Sequence, residues 1–270
     1  MKRIASLSTG VAGCLIAASA SAGVYVELVN HDIPGNTTDL AQKMYVEGGS
    51  GRFVDEEGRA TIIKGNTMVI VDDNDQTYIS FDKATMEQLA KQISAAMERM
   101  KEQLAKMPPE QRAQIEQMMA KTPGMGGEDQ KWEVEAVDTG KTDKVDGRTC
   151  RVWDIKRNGE LDDQLCVVPF AQLPGKENFQ AVFANFAKVF EEMAKSVPML
   201  SGVMSNEFSA QAKVGGFPVR SRGYENGKLG DEEQLVKVWR EEAIPASLFE
   251  IPAGYKPKKM PDSGPTFGAP

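Results

Sequence analysis

The sequence contains few of the residues from which enzymes most often build active sites. It has one histidine, His31, and three cysteines, and it lacks the Gly-x-Ser-x-Gly motif that presents a nucleophilic serine. A Ser-His-Asp triad would depend on His31, which follows a predicted strand and is better explained as a surface loop residue. Loops that bind phosphate or a dinucleotide are also missing. The sequence therefore favours a protein that is not an enzyme and uses no cofactor.

The acidic residues are numerous, but they form no recognisable metal site. Asp72, Asp73 and Asp75 are close in sequence, yet the glycine and glutamate that an EF-hand requires at its sixth and twelfth positions are absent. We interpret this segment as a hairpin turn. The formal net charge of −7 is explained by solubility, and it is evidence against binding to nucleic acid.

Beyond the N-terminus the sequence has no apolar run of the ~18–20 residues that a transmembrane helix needs. The N-terminus begins with Lys2 and Arg3, continues with an apolar stretch at residues 4–18, and ends with small residues at 20–22. This order is typical of a secretory signal peptide. We predict that residues 1–22 are removed on export to the periplasm, which leaves 248 residues with a net charge of −9.

Cys14 offers an alternative processing site. Residues 11–14 resemble the lipobox of bacterial lipoproteins, in which the cysteine is lipidated. However, the apolar stretch continues beyond Cys14, and the small residues at 20–22 form a better cleavage site. We therefore prefer the secreted form, and we expect contact with a membrane only if Cys14 carries a lipid.

The two cysteines of the mature chain, Cys150 and Cys166, are predicted to form a disulfide. β-rich segments flank the pair Asn158-Gly159, which is a strong hairpin signal. With a three-residue loop, Cys150 and Cys166 would lie directly opposite each other, at a Cα distance that suits a disulfide. A zinc site would need more ligands, and a redox-active pair would need a Cys-x-x-Cys motif. We therefore expect a structural disulfide in an oxidising compartment.

The remaining pattern predicts one α+β domain over residues 23–256, followed by a flexible tail at 257–270. Short β-rich segments separated by turn residues fill most of the domain. Two helical segments interrupt them, an insertion at about 83–121 and a helix at about 177–196. Because successive strands are joined by turns, we expect a large curved antiparallel sheet, or half-barrel, with both helical insertions packed on its concave face.

The segment IPASLFEIPAGYK at residues 244–256, together with residues 147–150, resembles a family of secreted bacterial proteins of unknown function. In its order of strands and helices, that family is similar to the outer-membrane lipoprotein carriers, whose half-barrel sheet cups a lipid-binding cavity under helices. The resemblance implies a half-barrel fold and a location in the cell envelope. It assigns no catalytic residue.

Both helical segments carry apolar faces that the sheet must bury. The first segment has apolar residues, many of them methionine, at alternating spacings of four and three, and the second has phenylalanine at similar spacing. These side chains would either fill the hollow of a curved sheet or line a cavity within it. The candidate cavity residues are Met97, Met100, Leu104, Phe183, Phe186 and Phe190.

We therefore expect a non-enzymatic envelope protein that binds a lipid, an acyl chain or a partner's apolar segment between sheet and helices. Methionine is flexible and polarizable, so the helical hairpin could instead dock on an envelope protein. Thioethers also bind Cu(I), which makes Met97, Met100, Met118 and Met119 the basis of a third and weaker alternative.

Overall fold

The computed structural model of the protein describes residues 22–120, 133–196, 206 and 209–258. Within these ranges the chain forms a curved, open, twelve-stranded sheet with helices, which confirms the predicted α+β half-barrel. Cys14 and nearly all of the predicted signal peptide lie outside the described residues. No helix in the described ranges is long and apolar enough to cross a membrane.

The helices are α1 (Lys83–Lys106), α2 (Pro109–Ala120) and α3 (Lys176–Ser196). The strands are β1 (Gly23–Asp32), β2 (Thr37–Glu47), β3 (Ser50–Asp55), β4 (Arg59–Lys64), β5 (Thr67–Asp72), β6 (Thr77–Ser80), β7 (Val134–Val145), β8 (Arg148–Arg157), β9 (Glu160–Pro169), β10 (Gly216–Glu225), β11 (Lys228–Glu242) and β12 (Lys256–Pro257). The predicted tail thus begins within β12.

β1 lies inside the sheet rather than at an edge. The strand order is β12-β6-β5-β4-β3-β2-β1-β11-β10-β9-β8-β7, and every pair is antiparallel except β12 with β6. Asn158-Gly159 has positive φ and forms a tight turn between neighbouring strands, as predicted, and Asn226-Gly227, another pair of residues that favours such turns, does the same. The pairing of β1 with β11 joins two parts, which we call the N-terminal half (β1–β6 with β12) and the C-terminal half (β7–β11) of the sheet.

A disulfide joins the neighbouring strands β8 and β9. Cys150 and Cys166 are bonded, with their Cα atoms 5.3 Å apart. The predicted register is wrong, because the strand pairing shifts beside Ile155 and places Val152, not Cys150, directly opposite Cys166. An extra residue in one strand moves every later pair by one position. The two cysteines are therefore diagonal neighbours on one face of the sheet, and both are buried.

α1 and α3 pack on the same face of the sheet and form two apolar cores with it. The first core lies under the N-terminal part of α3, and the second lies between α1, α3 and strands β4 and β5. Among the buried members of the first core are Val24, Val26, Val46, Cys150, Cys166, Phe179, Val182, Phe217 and Val219. The buried members of the second core are Ile63, Met68, Phe81, Met86, Leu89 and Val189.

Two asparagines of α3 attach the helix to the turn between β2 and β3. Asn178 accepts a hydrogen bond from the Gly48 amide at 2.9 Å and donates one to the Ala22 carbonyl at 3.0 Å. Asn185 donates to the Gly49 carbonyl at 2.9 Å. Because Asn178 is buried, losing these partners would leave polar atoms without hydrogen bonds. The position of α3 is therefore fixed by polar contacts as well as by apolar packing.

The C-terminal segment covers the opposite face of the N-terminal half. Ile244 and Phe249, both within the IPASLFEIPAGYK motif, are buried against Ala60, Ile62 and Val71 in a third core. The segment then reaches the edge of the sheet, where β12 pairs with β6. The motif thus has a structural role in closing this face of the sheet.

Candidate functional site

A pocket of about 250 Å³ opens where three elements of the N-terminal half meet. β6 forms one wall, the first turns of α1 form the second, and the residues around β12 form the third. All three walls contribute to its lining, which includes Tyr78, Ser80, Gln88, Leu89, Gln92 and Lys258. This pocket is the candidate functional site.

The β6 wall is an edge of the sheet that β12 covers only in part. β12 pairs with β6 at Thr77 and Tyr78, and the Lys258 amide donates to the Tyr78 carbonyl at 2.8 Å. The Phe81 amide donates toward β5 at 2.8 Å. Since main-chain groups alternate in direction along an antiparallel strand, the N–H and C=O of Ser80 point toward the open edge.

The α1 wall combines apolar and polar side chains. Leu89 is 1% exposed and belongs to the second core. Gln88 and Gln92 lie four residues apart and therefore share one side of the helix. The Oε1 atom of Gln92 is buried and has no hydrogen-bond partner within the described part of the chain. A buried acceptor without a donor is destabilising, so a ligand or water that supplied one would bind favourably.

The C-terminal wall is attached to the acidic turn between β5 and β6. The Tyr255 hydroxyl donates to Asp73 Oδ1 at 3.0 Å, and Lys258 Nζ lies 3.0 Å from Asp75 Oδ2. The hydrogen bond to Asp73 raises the pKa of Tyr255 above its usual value. The acidic segment is therefore a turn, as the sequence analysis predicts, and its carboxylates hold the wall of the pocket in place.

Asp73 is shared with a second basic group. Arg52, whose side chain is 9% exposed, approaches the Asp73 carboxylate to 3.5 Å and donates to the Leu248 carbonyl at 3.4 Å. Arg52 lies in β3, beneath the C-terminal segment. One guanidinium thus links the sheet, the acidic turn and the covering segment.

The charged groups at the pocket are already engaged in structural contacts. The Asp82 carboxylate accepts a hydrogen bond from the Thr85 amide at 2.9 Å, which caps α1 and lowers the pKa of Asp82. Lys258 is paired with Asp75. Both charged groups therefore have partners that belong to the fold.

The predicted cavity residues of α3 face the sheet. Phe183 packs against the first core, with its ring centroid 5.9 Å from that of Phe170. Phe186 and Phe190 pack against the second core, with centroids 4.3 Å apart. All three are partly exposed, and none of them lines the pocket. Their role as cavity walls stays a prediction.

The predicted cavity residues of α1 lie farther along the helix than the pocket. Met100 and Leu104 are partly exposed, and the side chain of Met97 lies outside the described residues. At the end of α1, the Arg112 guanidinium donates to the carbonyls of Leu104 and Ala105 at 3.0 and 3.1 Å. These bonds satisfy carbonyls that a helix end leaves without partners, and they fix the turn into α2.

His31 belongs to an ionic cluster in the sheet rather than to a surface loop. Its Nδ1 atom lies 3.0 Å from Glu233 Oε1, and Arg222 Nε donates to Glu233 Oε2 at 2.7 Å. The loop prediction is wrong because β1 extends to Asp32 through its pairing with β11. A neighbouring pair, Arg220 and Asp143, is 2.8 Å apart.

The ionic cluster is interpreted as a structural link between strands. Burial alone would raise the pKa of Glu233, but hydrogen bonds from Arg222 and His31 hold it below its usual value. The bond to Glu233 in turn raises the pKa of His31. The carboxylate therefore stays ionised and already has cationic partners, as expected of an ion pair that joins strands.

The fold is an open α+β half-barrel with a pocket at the edge of its sheet. Residues 79–255 match a domain of unknown function, DUF4412, and this match includes more than half of the chain. The chain belongs to the DUF4412 family. This confirms the expected membership of a family of unknown function.

Comparison with other proteins adds no assigned activity. No curated protein matches the chain. Among solved structures, an uncharacterized conserved protein from Thermus thermophilus is similar over 88% of this chain and 90% of that chain, with a TM-score of 0.42 and 8% sequence identity.

The sequence analysis did not identify Ser80 or Gln92 as site residues. Ser80 lines the pocket together with Pro257 and Lys258, which come from the far end of the described chain. The sequence indicates only weakly that Gln92 is near the core, because Gln92 precedes Ile93 on a helix with a predicted apolar face. The polar atom of Gln92 becomes informative only when its burial is known.

Proposed function

We propose that the protein is a non-enzymatic protein of the periplasm that binds an apolar ligand, either an acyl chain or an apolar segment of a partner, between its sheet and helices. The observation that carries this proposal is the pocket beside α1, with Leu89 at its inner wall. Leu89 belongs to the second core, against which Phe186 and Phe190 also pack. A ligand in the pocket would therefore contact the apolar layer that the sequence singles out.

The size of the pocket suits part of a ligand rather than a whole lipid. Sites for drug-sized molecules occupy roughly 300–1,000 Å³, and this pocket has about 250 Å³. Each methylene group of a ligand that became buried in the pocket would contribute ~0.8 kcal/mol to the free energy of binding. A short acyl segment or one or two apolar side chains of a partner would fit such a volume.

The periplasmic location rests on the N-terminal signal and on the disulfide between Cys150 and Cys166, since such bonds persist in oxidising compartments. The resemblance to the outer-membrane lipoprotein carriers in the order of strands and helices, which is a prediction from the sequence, is consistent with a binding role in the envelope. Membrane contact through a lipid on Cys14 is the alternative that mass spectrometry of the mature N-terminus would detect.

The proposal is tested by blocking the pocket. Gln88→Trp places an indole in the pocket from the exposed side of α1, whereas Ser94→Trp places one on the opposite side of the same helix. We expect laurate, or an apolar peptide, to bind the wild type and the Ser94 variant, and to bind the Gln88 variant at least about tenfold more weakly. Isothermal titration calorimetry measures this difference. Equal binding by all three proteins, or no binding by any of them, would refute the proposal.

A second candidate function is docking of the α1–α2 hairpin on a protein partner. It is favoured by the partial exposure of Met100, Leu104 and Met107 and by the hydrogen bonds of Arg112 that fix the hairpin turn. Crosslinking from α1 in whole cells, with the double variant Met100→Ser and Leu104→Ser as comparison, tests it. Loss of a defined crosslink would support it, and an unchanged pattern would count against it. The Cu(I) alternative involves Met118 and Met119, whose side chains lie outside the described residues.

A further inference from the structure

We infer that the occupant of the pocket is an extended apolar peptide segment that adds to β6 at Ser80, which pairs with no residue of β12 in the described part of the chain. This inference rests on the proposed function and chooses between its two kinds of ligand. Three features of the pocket lead to it: the partial cover of a strand edge, buried acceptors without donors, and a volume that suits side chains.

The edge of β6 already accepts one strand. β12 runs parallel to β6 and supplies main-chain hydrogen bonds, including the bond of 3.0 Å from the Lys256 amide to the Gln76 carbonyl. Within the described residues the pairing ends with Pro257 opposite Tyr78 and the Lys258 amide bond to the Tyr78 carbonyl, while the main-chain groups of Ser80 point outward from the same edge. Peptides that bind by strand addition use unpaired N–H and C=O groups of this kind.

The pocket and its surroundings contain buried acceptors that an acyl chain cannot satisfy. Gln92 Oε1 is buried without a partner in the described ranges, and so is Thr77 Oγ1, which lies in β6 but does not line the pocket. A hydrocarbon offers no hydrogen-bond donor, and placing it beside Gln92 would exclude the water that could otherwise supply one. A peptide N–H is a donor, and side-chain amides such as those of Gln88 and Gln92 pair readily with main-chain groups.

The volume also agrees with a peptide. In strand addition the backbone lies along the sheet edge and only alternate side chains enter pockets. A space of about 250 Å³ beside Leu89 is sufficient for one or two such side chains, while the remainder of the peptide lies outside it. The occupant that fits all three features has an extended backbone and at least one apolar side chain.

The test compares peptides with their backbone-blocked forms. The probes are terminally blocked hexapeptides of alternating valine and threonine, leucine and serine, and phenylalanine and threonine, together with versions that are N-methylated at alternate residues. Laurate is the comparison ligand. Titration by NMR follows the Ser80 amide, and we expect at least one unmodified peptide to shift it and to slow its hydrogen exchange. N-methylation should weaken binding at least about tenfold, because it removes the donors of the ladder.

Two matched substitutions sharpen the test. Ser80→Pro removes the edge N–H while proline is tolerated at an edge strand, and Ser80→Ala keeps that N–H. We expect the proline variant to lose about tenfold in peptide affinity and the alanine variant to bind like wild type. Gln92→Leu should weaken peptide binding while leaving laurate binding unchanged or tighter. A circular dichroism spectrum and unfolding midpoint for each variant show whether it is folded.

The possible results separate this inference from the proposed function. If laurate binds in the pocket and no peptide shifts Ser80 at millimolar concentration, the peptide assignment is overturned and the proposed function stands. If peptides bind but N-methylation and Ser80→Pro have no effect, strand addition is also overturned. If neither class of probe binds, both the inference and the proposed function fail.

Discussion

The two halves of the sheet are stabilised in different ways. The N-terminal half is covered on both faces by separate parts of the chain, α1 and α3 on one side and the C-terminal segment on the other. The C-terminal half is covered by α3 on one face and by Ala210 and Val214 on the other, and these covering residues all lie between β9 and β10 in the chain. The disulfide also joins two of its strands. The pocket lies in the half whose covering layers come from distant segments.

This difference explains where an opening forms. Neighbouring strands of a sheet are held ~5 Å apart by their hydrogen bonds, so there is little space between them for a ligand. Layers that come from different segments meet at a boundary, and at the β6 edge that boundary lies between α1 and β12. We infer that the boundary between two covering layers from distant segments makes the site.

The largest effect is expected in the first core, which contains residues of both halves. Phe179 is 2% exposed and contacts Trp239 and Phe217, with ring centroids 4.8 and 5.5 Å apart. Phe179→Ala should lower the free energy of unfolding by about 4 kcal/mol, through lost burial and the cavity left behind. Urea denaturation measures it. Leu229→Ala, at an exposed position of β11, is the control and should change stability by less than about 0.5 kcal/mol.

A smaller effect, confined to the C-terminal half, is expected from removing the disulfide. The bond closes a loop with a sequence separation of 16 residues, which corresponds to about 3 kcal/mol of stabilisation. The double variant Cys150→Ala and Cys166→Ala should lose that amount, and hydrogen exchange should accelerate in β8 and β9 more than in β3–β5. Uniform acceleration across both halves would contradict the idea that each half has its own means of stabilisation.

Removing a contact that attaches the C-terminal wall of the pocket is expected to lower stability less than removing the disulfide. Tyr255→Phe removes the hydrogen bond to Asp73 and should cost about 1 kcal/mol of stability. Exchange of the Lys256 and Lys258 amides should accelerate, because the wall loses one of its contacts. Tyr224→Phe in β10 is the matched control. If both variants behave alike, Tyr255 does not hold the wall.

The ionic cluster should give the smallest effect, and one that depends on pH. The raised pKa of His31 means that its contribution is complete below about pH 6.5 and is lost as the pH rises through the folded-state value. The lowered pKa of Glu233 means that its contribution is present above about pH 4.5 and is lost at lower pH. The stability difference between wild type and His31→Gln should therefore be greatest between these two values. Thermal unfolding over a pH series measures it, and a difference that grows above pH 7 would contradict the pairing.

The sequence analysis predicted much of the fold and little of the site. Hairpins at Asn158-Gly159 and Asn226-Gly227 depend on neighbouring residues that favour positive φ, so they could be recognised locally. The role of His31 was missed because its partner, Glu233, is distant in sequence. The pocket was missed for the same reason, since its walls come from residues near 80, 90 and 257. The functional importance of Phe183, Phe186 and Phe190 stays a prediction.

By itself, the sequence determined the strand-rich pattern, the amphipathic helices and the pairing of the two cysteines, because each depends on local spacing or on a lack of alternatives. Only the tertiary structure decided that β1 pairs with β11, that the segment from Ile244 to Tyr255 covers one face of the sheet, and that β12 pairs with β6. Such contacts join segments distant in the chain, and their free energy depends on how well whole surfaces fit. No short stretch of sequence contains that information.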